Sequence, residues 1–372
     1  MSKSKLFFCA LCLVLFTGLQ SCNDDTPGGR TNTNDFDRQL MLEDMATQVI
    51  VPSFLKLNTE TGNLQTAINA FTADPTQTTL DAAQAALKDA WLAWQGVNLY
   101  QFGPAADNGL RAALNNFPTD DRTIEANISS GDYSLSSISN LQAIGFPAID
   151  YLLHNTEDAL LLDQYTTAET AAARKTYLNE VAALVSEKVS LSYGSWTGEG
   201  SDYATAFAEN DGTAVGSSLS ELVNAFNQQY ERYTRDGKIG IPAGVRSLGV
   251  PIPESTEAFY GGYSLELAIA NLRAYQQLFK GADQEGLDLA DYLISLNASN
   301  EAGALDQQIK TQLEASIASL QTLEDPLSET IRNNNDAVLS TYVELQRLVV
   351  LLKAELPSAM GVTITFQDND GD

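Results

Sequence analysis

Apolar residues recur along most of this 372-residue chain at the spacing of an α-helix. Residues 80–94, 178–191 and 219–233 each place them on one helical face. The last of these faces consists of Leu219, Leu222, Val223, Phe226, Tyr230 and Tyr233. The nearly continuous apolar run 338–352 predicts a central, well-buried helix. Further helices are predicted near residues 37–57, 137–154, 257–280, 286–296 and 303–322.

The alternation of apolar and polar residues that is typical of a β-strand is scarce, and residues 362–366 are its one clear example. Two irregular segments interrupt the helical pattern. Residues 194–218 are rich in glycine and serine, and residues 237–257 contain three prolines. We therefore predict an all-α protein with long irregular connections. An N-terminal helical domain would span 37–193, an irregular connection 194–218, and a C-terminal helical domain 219–372.

The first 21 residues have the pattern of a secretory signal peptide. A basic start precedes the apolar run 6–16, which is too short to span a membrane as a helix. The run leads to Leu19-Gln20-Ser21-Cys22, which resembles the bacterial lipobox. That resemblance implies lipidation of Cys22 and attachment to a membrane by acyl chains. The alternative is an ordinary signal peptide followed by a chance cysteine.

Residues 22–36 form a polar, glycine- and proline-containing tether that has too few apolar side chains to build a core. The acidic pair Asp24-Asp25 just after Cys22 resembles a surface-export signal of some lipoproteins. The sequence predicts an outer-membrane lipoprotein and leaves the periplasmic and the surface face both open.

Charge and cysteine content exclude several classes of function. The chain has 21 basic and 48 acidic residues and a net charge of −27, which repels phosphate backbones and argues against nucleic-acid binding. Removal of the signal peptide leaves Cys22 as the single cysteine of the mature chain. Disulfides and thiolate metal sites are therefore excluded from the mature chain.

Residues 145–150, Gly-Phe-Pro-Ala-Ile-Asp, resemble the Gly-x-His-x-x-Glu signature of the imelysin-like bacterial lipoproteins. Other segments that resemble this family follow in the same order along the chain: residues 91–104, 240–249, 257–264 and 359–372. The resemblance implies a fold of two bundle-like helical domains with a site in the cleft between them. It also implies a cell-envelope location and a link to iron acquisition. Some members were first described as peptidases.

The signature has lost its strong metal ligands. Gly145 matches the family, but Pro147 replaces the histidine and Asp150 replaces the glutamate. Asn98 stands where many members carry a glutamate. Zinc prefers histidine or thiolate ligands, so Asp150 and Asn98 could at most bind a hard divalent cation through oxygen. No other cofactor is predicted.

The same segment also has a purely structural interpretation. Gly145 and Pro147 would begin a helix, Asp150 would be a first-turn acid favoured by the helix dipole, and the apolar residues would pack inward. Trp94, Arg246 and Tyr263 are the other ligand-binding candidates. For these three, core packing or loop packing is the competing interpretation.

The leading hypothesis is a lipid-anchored, non-catalytic binding or accessory protein of the cell envelope that serves iron or metal acquisition. Its partners would be the membrane, through the lipid on Cys22, and an iron-uptake membrane protein. One alternative is a metal-dependent, peptidase-like hydrolase that uses Asp150 and Asn98. The other is a surface glycan-binding lipoprotein, a class that is usually built from helical repeats, and no repeat is visible in this sequence.

Overall fold

Most of the predicted helices form, although those predicted near 137–154 and 257–280 begin only at Gly145 and Ser264. The structure is a computed structural model and describes residues 36–198, 202–281 and 286–366. The helices before residue 200 are α1 Arg38–Met45, α2 Val51–Ala73, α3 Gln77–Gln95, α4 Gly103–Asp107, α5 Leu110–Leu114, α6 Asp121–Ser130, α7 Gly145–His154, α8 Asp158–Thr166 and α9 Ala171–Thr197. The later helices are α10 Tyr203–Glu209, α11 Ser218–Gln228, α12 Ser264–Lys280, α13 Leu289–Ser295, α14 Leu305–Leu320, α15 Leu327–Val350 and α16 Leu356–Met360.

Shorter elements connect or extend these helices. Three π-helical segments follow α1, α11 and α15, namely Ala46–Ile50, Gln229–Gly240 and Leu351–Glu355. Two 3₁₀ turns occupy Ile138–Asn140 and Pro253–Ser255. The strands β1 Ser299–Asn300 and β2 Gly303–Ala304 pair antiparallel as one short hairpin. The all-α prediction is confirmed.

The core is built from helices of both halves of the described chain. Helix α2 packs against α3 and α9, and α3 also contacts α7 and the later helix α12. Helix α14 packs against α12 and α15. Trp91, Trp94 and Trp196 lie fully inside this core. Contacts group the residues from Phe36 onward into one compact unit, and the predicted division into two helical domains stays a prediction.

The segment predicted as an irregular connection is partly helical. Helix α9 continues to Thr197, and α10 lies within the same segment. Trp196 near the end of α9 and Phe207 in α10 are both buried, and their rings lie 5.7 Å apart. This aromatic packing explains why a glycine-rich sequence remains helical there.

The alternating residues 362–366 do not form a strand. The Thr365 backbone N–H donates to the Asn224 side-chain oxygen over 2.7 Å, and the Asn224 amide donates to the Thr363 carbonyl over 3.0 Å. An asparagine side chain therefore takes the place of a neighbouring strand. A strand needs a partner strand, which the alternation alone does not supply.

The run 338–352, predicted as well buried, is amphipathic in the structure. Val338, Leu345 and Leu348 are fully buried, whereas Val343 and Val350 are more than half exposed. Hydrophobic composition overestimated the burial because one face of α15 lies at the surface. The predicted signal peptide, Cys22 and residues 367–372 lie outside the described residues.

Candidate functional site

Gly145 begins helix α7 with a backbone that only glycine adopts readily. Its φ is +76°, and a Cβ atom at this position would lie 2.3 Å from the carbonyl oxygen of Leu114. Pro147 follows within the first turn, where a missing N–H leaves no intrahelical hydrogen bond unmade. Ile149 and Leu152 are fully buried. The segment is thus a well-packed helix start, as its structural interpretation predicts.

Asp150 is not the first-turn acid that this interpretation predicts, because it is the sixth residue of α7. Its side chain is only 1% exposed. Oδ2 accepts the backbone N–H of Tyr260 over 3.0 Å, and Oδ1 lies 3.1 Å from His154 Nδ1. The same Nδ1 lies 3.3 Å from the carbonyl oxygen of Asp150, so Oδ1 receives no well-aligned hydrogen bond. His154 thus contacts both the side chain and the backbone carbonyl of Asp150.

Tyr263 is placed beside Asp150 by a glycine. A Cβ atom on Gly261 would lie 2.3 Å from the Tyr263 ring and 2.7 Å from Asp150 Oδ1. The Tyr263 hydroxyl is buried and has no hydrogen-bond partner among the described residues. Burial, followed by the carboxylates of Asp150 and Glu257, raises the pKa of Tyr263 well above its ordinary value of 10.0. The phenol is therefore neutral at physiological pH.

Pro147 and Asp150 face the same cavity, which has a volume of about 310 Å³. We call it the Asp150 cavity. Its other lining residues come from the loop before α6, the first residue of α6 and the segment before α12, and they include Phe117, Asp121, Glu254 and Tyr260. The three-residue spacing of the signature thus brings positions 147 and 150 to one wall, as helical geometry requires.

Asn98 belongs to a separate buried cluster. Its amide donates to Gln95 Oε1 over 3.1 Å, and its oxygen accepts from Asn271 over 2.9 Å. No hydrogen bond joins Asn98 to Asp150 in the described part of the chain. The Asn98 side chain therefore links α12 to the end of α3.

The same cluster contains a buried ion pair that the sequence analysis missed. Lys238 Nζ donates to Glu257 Oε2 and, over 2.9 Å, to Gln95 Oε1. Glu257 Oε1 accepts from Asn115 over 2.8 Å and from Gln95 over 3.2 Å. Burial lowers the pKa of Lys238, and the adjacent Glu257 carboxylate opposes that shift. Glu257 stands in one of the family-like segments, but nothing in the sequence marks Lys238 as its partner.

Arg246 and Trp94 lie in other surroundings. Arg246 donates through Nε over 2.9 Å and through Nη2 over 2.5 Å to Asp236 Oδ2. Asp236 also accepts from Arg235 and Tyr342. Trp94 is a core residue and does not line the Asp150 cavity among the residues described. Of the predicted ligand-binding candidates, the structure brings Asp150 and Tyr263 together, and a ligand role for any of the five stays a prediction.

Residues 50–354 match the family model described as Imelysin, peptidase M75. The chain belongs to the imelysin family. A search of curated proteins found no match. One solved structure with the same fold is an imelysin-like protein from Psychrobacter arcticum 273-4, which is 14% identical, with a TM-score of 0.66 over 89% of this chain and 97% of that one.

A second solved structure is that of a protein provisionally named an iron-regulated protein A precursor, from Parabacteroides distasonis ATCC 8503. It is 18% identical to this imelysin-family chain, with a TM-score of 0.73 over 90% of this chain and 97% of that one. At these identities the two structures establish the shared fold.

The residues at the imelysin signature do not fit the zinc site of a peptidase. Such sites use three protein ligands, and Pro147 offers no donor atom. The nearby carboxylate–imidazole pair of Asp150 and His154 supplies two groups at most. Across residues 36–198, 202–281 and 286–366, no group of three or more His, Cys, Asp or Glu side chains is arranged to hold a metal. No helix in these ranges is long and apolar enough to cross a membrane.

Proposed function

We propose that this imelysin-family protein is a lipid-anchored, non-catalytic binding or accessory component of the cell envelope that serves iron or metal acquisition. The observation that carries the proposal is the state of Asp150. Its carboxylate is used within the fold, by the Tyr260 N–H and by His154. The neighbouring signature position, Pro147, has no ligand atom. The signature thus retains its packing role and has lost its ligand set.

The envelope role rests on the sequence and on one structural relative. Cys22 would carry the lipid that attaches the chain to the outer membrane, on its periplasmic or its surface face. The Parabacteroides protein with the same fold is named as an iron-regulated protein. An iron-uptake membrane protein is the partner that this role requires.

Metal analysis of the purified protein tests the non-catalytic role. The protein is incubated with Zn²⁺, Mn²⁺ or Fe²⁺, desalted, and its bound metal is quantified beside an Asp150→Ala variant. We expect far less than one equivalent in both proteins and no peptide hydrolysis. One retained equivalent that is lost in Asp150→Ala would overturn the proposal.

Labelling cells with a radioactive fatty acid tests the lipid anchor. The full-length chain should incorporate label and fractionate with the outer membrane, and a Cys22→Ser variant should do neither. Growth of a deletion strain under iron limitation, with complementation by each form, tests the acquisition role. Equal growth with and without the protein would contradict that role.

A metal-dependent hydrolase is the second candidate, and the Asp150–His154 pair favours it. A carboxylate that orients an imidazole is a common unit of general-base catalysis. However, His154 is not among the residues that line the Asp150 cavity. Peptide hydrolysis that requires added metal and disappears in Asp150→Asn would establish this candidate.

A further inference from the structure

We propose that a second and larger cavity, which we call the Arg111 cavity, is a binding site for a small organic anion that carries a carboxylate on an apolar ring. The cavity has a volume of about 630 Å³, within the range of small-molecule sites. It is bounded by α4, α5 and the loop after them on one side and by the π-helical segment Gln229–Gly240 on the other. The inference rests on the binding role proposed above and assigns that role a ligand class.

The charge of the cavity wall is opposite to that of the protein. The whole chain carries a net charge of −27. The described residues that line the cavity include two arginines, Arg111 and Arg232, and no aspartate or glutamate. The lining thus holds the Arg111 guanidinium and no carboxylate among its described residues, in a protein that is strongly acidic as a whole. Such a wall favours an anion, and it does so more strongly where the surroundings exclude water.

The fold holds the Arg111 guanidinium in place. One Nη2 hydrogen bond of 3.0 Å goes to the main-chain carbonyl oxygen of Asn98, and the guanidinium carbon lies 3.6 Å from the centre of the Tyr233 ring. A guanidinium has five N–H donors, so further donors remain for a planar carboxylate. Burial lowers the pKa of Arg111 to about 10, which still leaves it charged at neutral pH. A bound anion would offset the cost of burying this charge.

A neutral donor lies in the same wall. Gln101 Nε2 is buried and has no hydrogen-bond partner among the described residues, and Gln101 lines the cavity. Asn115 is already engaged at both ends, because its oxygen accepts from Trp91 and its amide donates to Glu257. Gln101 is thus the amide that an anion could use without breaking an existing contact.

The rest of the wall is apolar and suits a ring. Phe117, Pro118 and Ile241 line it together with three alanines. A charged group on the arginine side and a flat apolar body on the Phe117 side would use both surfaces. The Asp150 cavity lacks this character, since Asp121, Asp150 and Glu254 line it. An anion is therefore expected in the Arg111 cavity and not in its neighbour.

Titration calorimetry with 2-naphthoate as the probe tests the proposal. The uncharged 2-naphthamide has the same ring, and 2-naphthyl phosphate presents a different anion. We expect the carboxylate to bind to the wild-type protein at least about tenfold more tightly than the amide, since hydrogen bonds to charged groups are the stronger ones. Tighter binding of the phosphate would overturn the choice of carboxylate, and failure of all three compounds to bind would overturn the site.

Three variants locate the binding. Arg111→Gln and Arg232→Gln should each weaken 2-naphthoate binding by about tenfold or more and leave 2-naphthamide unchanged. Arg273→Gln removes the same charge at an exposed position outside the cavity wall and should bind like wild type. Thermal melts identify a variant that fails to fold. If Arg111→Gln does not fold, the binding data for Arg232→Gln alone test whether the ligand lies in the Arg111 cavity. An equal loss of 2-naphthoate affinity in Arg273→Gln would show a general effect of net charge and would contradict the proposal.

The result is separate from the metal and iron tests. Loss of anion binding in Arg232→Gln with normal growth under iron limitation would keep the Arg111 cavity and contradict the acquisition role. Absence of anion binding in a protein that supports growth under iron limitation would overturn the Arg111 cavity as a binding site and keep the acquisition role.

Discussion

His154 Nδ1 lies 3.1 Å from Asp150 Oδ1, one turn further along α7. This contact joins the chain's single histidine to the acid of the family signature. The side chain of Asp150 is almost fully buried, and that of His154 is 18% exposed. The pair therefore stabilises the junction between α7 and the Tyr260 backbone, and its removal should be felt in folding stability.

We predict that His154→Ala lowers the free energy of unfolding by about 1–3 kcal/mol, because the buried Asp150 carboxylate loses the adjacent imidazole and the Asp150 carbonyl loses its contact with Nδ1. Denaturant unfolding measures the change. In an Asp150→Asn background the same substitution should lower the free energy of unfolding much less, since an uncharged amide has already replaced the carboxylate. Equal costs in both backgrounds would mean that the two side chains do not interact.

Gly145→Ala should be severely destabilising, and Gly131→Ala provides its matched control. Both glycines have positive φ, +76° and +65°, but only the Gly145 Cβ would meet backbone, 2.3 Å from the Leu114 carbonyl oxygen. We expect a loss of about 1–2 kcal/mol for Gly131→Ala, from backbone strain alone. The loss for Gly145→Ala should be larger, above about 4 kcal/mol, or the variant should fail to fold. Similar melting temperatures for the two variants would contradict the close approach of α7 to α5.

Lys238→Met should destabilise the protein by about 3–5 kcal/mol, because it leaves the Glu257 carboxylate buried without its cation. Adding Glu257→Gln should recover part of that loss, since the uncharged amide can still bond to Asn115. Urea unfolding of the two single variants and the double variant gives the coupling energy. Additive losses would show that the pair does not act as a unit.

Tyr263→Phe should be nearly neutral at pH 7, because the hydroxyl that it removes is buried and has no partner among the described residues. The pKa of Tyr263 is raised well above 10.0 in the folded state. Above pH 10 the tyrosine therefore ionises in the unfolded chain before it ionises in the folded protein. The contribution of the protonated phenol to folding stability is present below pH 10 and is lost as the pH rises above it.

Relative to wild type, Tyr263→Phe should thus become the more stable protein in alkaline solution. Unfolding followed from pH 7 to pH 11 measures the difference. A difference that does not change with pH would mean that Tyr263 ionises equally in both states.

The helices were predictable because their signal is local. The stripe from Leu219 to Tyr233 and the start of α7 at Gly145 both follow from residues within a few turns of each other. The errors arose where a local pattern lacked a tertiary partner. Residues 362–366 hydrogen-bond to the Asn224 side chain and not to a strand, and one face of α15 is exposed to solvent at Val343.

The sequence by itself determined the helical fold class, the imelysin family and the loss of a histidine ligand at Pro147. These depend on residue type and on short spacings, which are fixed along the chain. Only the tertiary structure decided that Asp150 faces Tyr260, that Lys238 neutralises Glu257, and that Arg111 and Arg232 share one cavity. Arg111 and Arg232 are far apart along the chain, and periodicity gives no information about which helix faces approach each other. Their meeting depends on how α3, α5 and the segment after α11 pack around a common core.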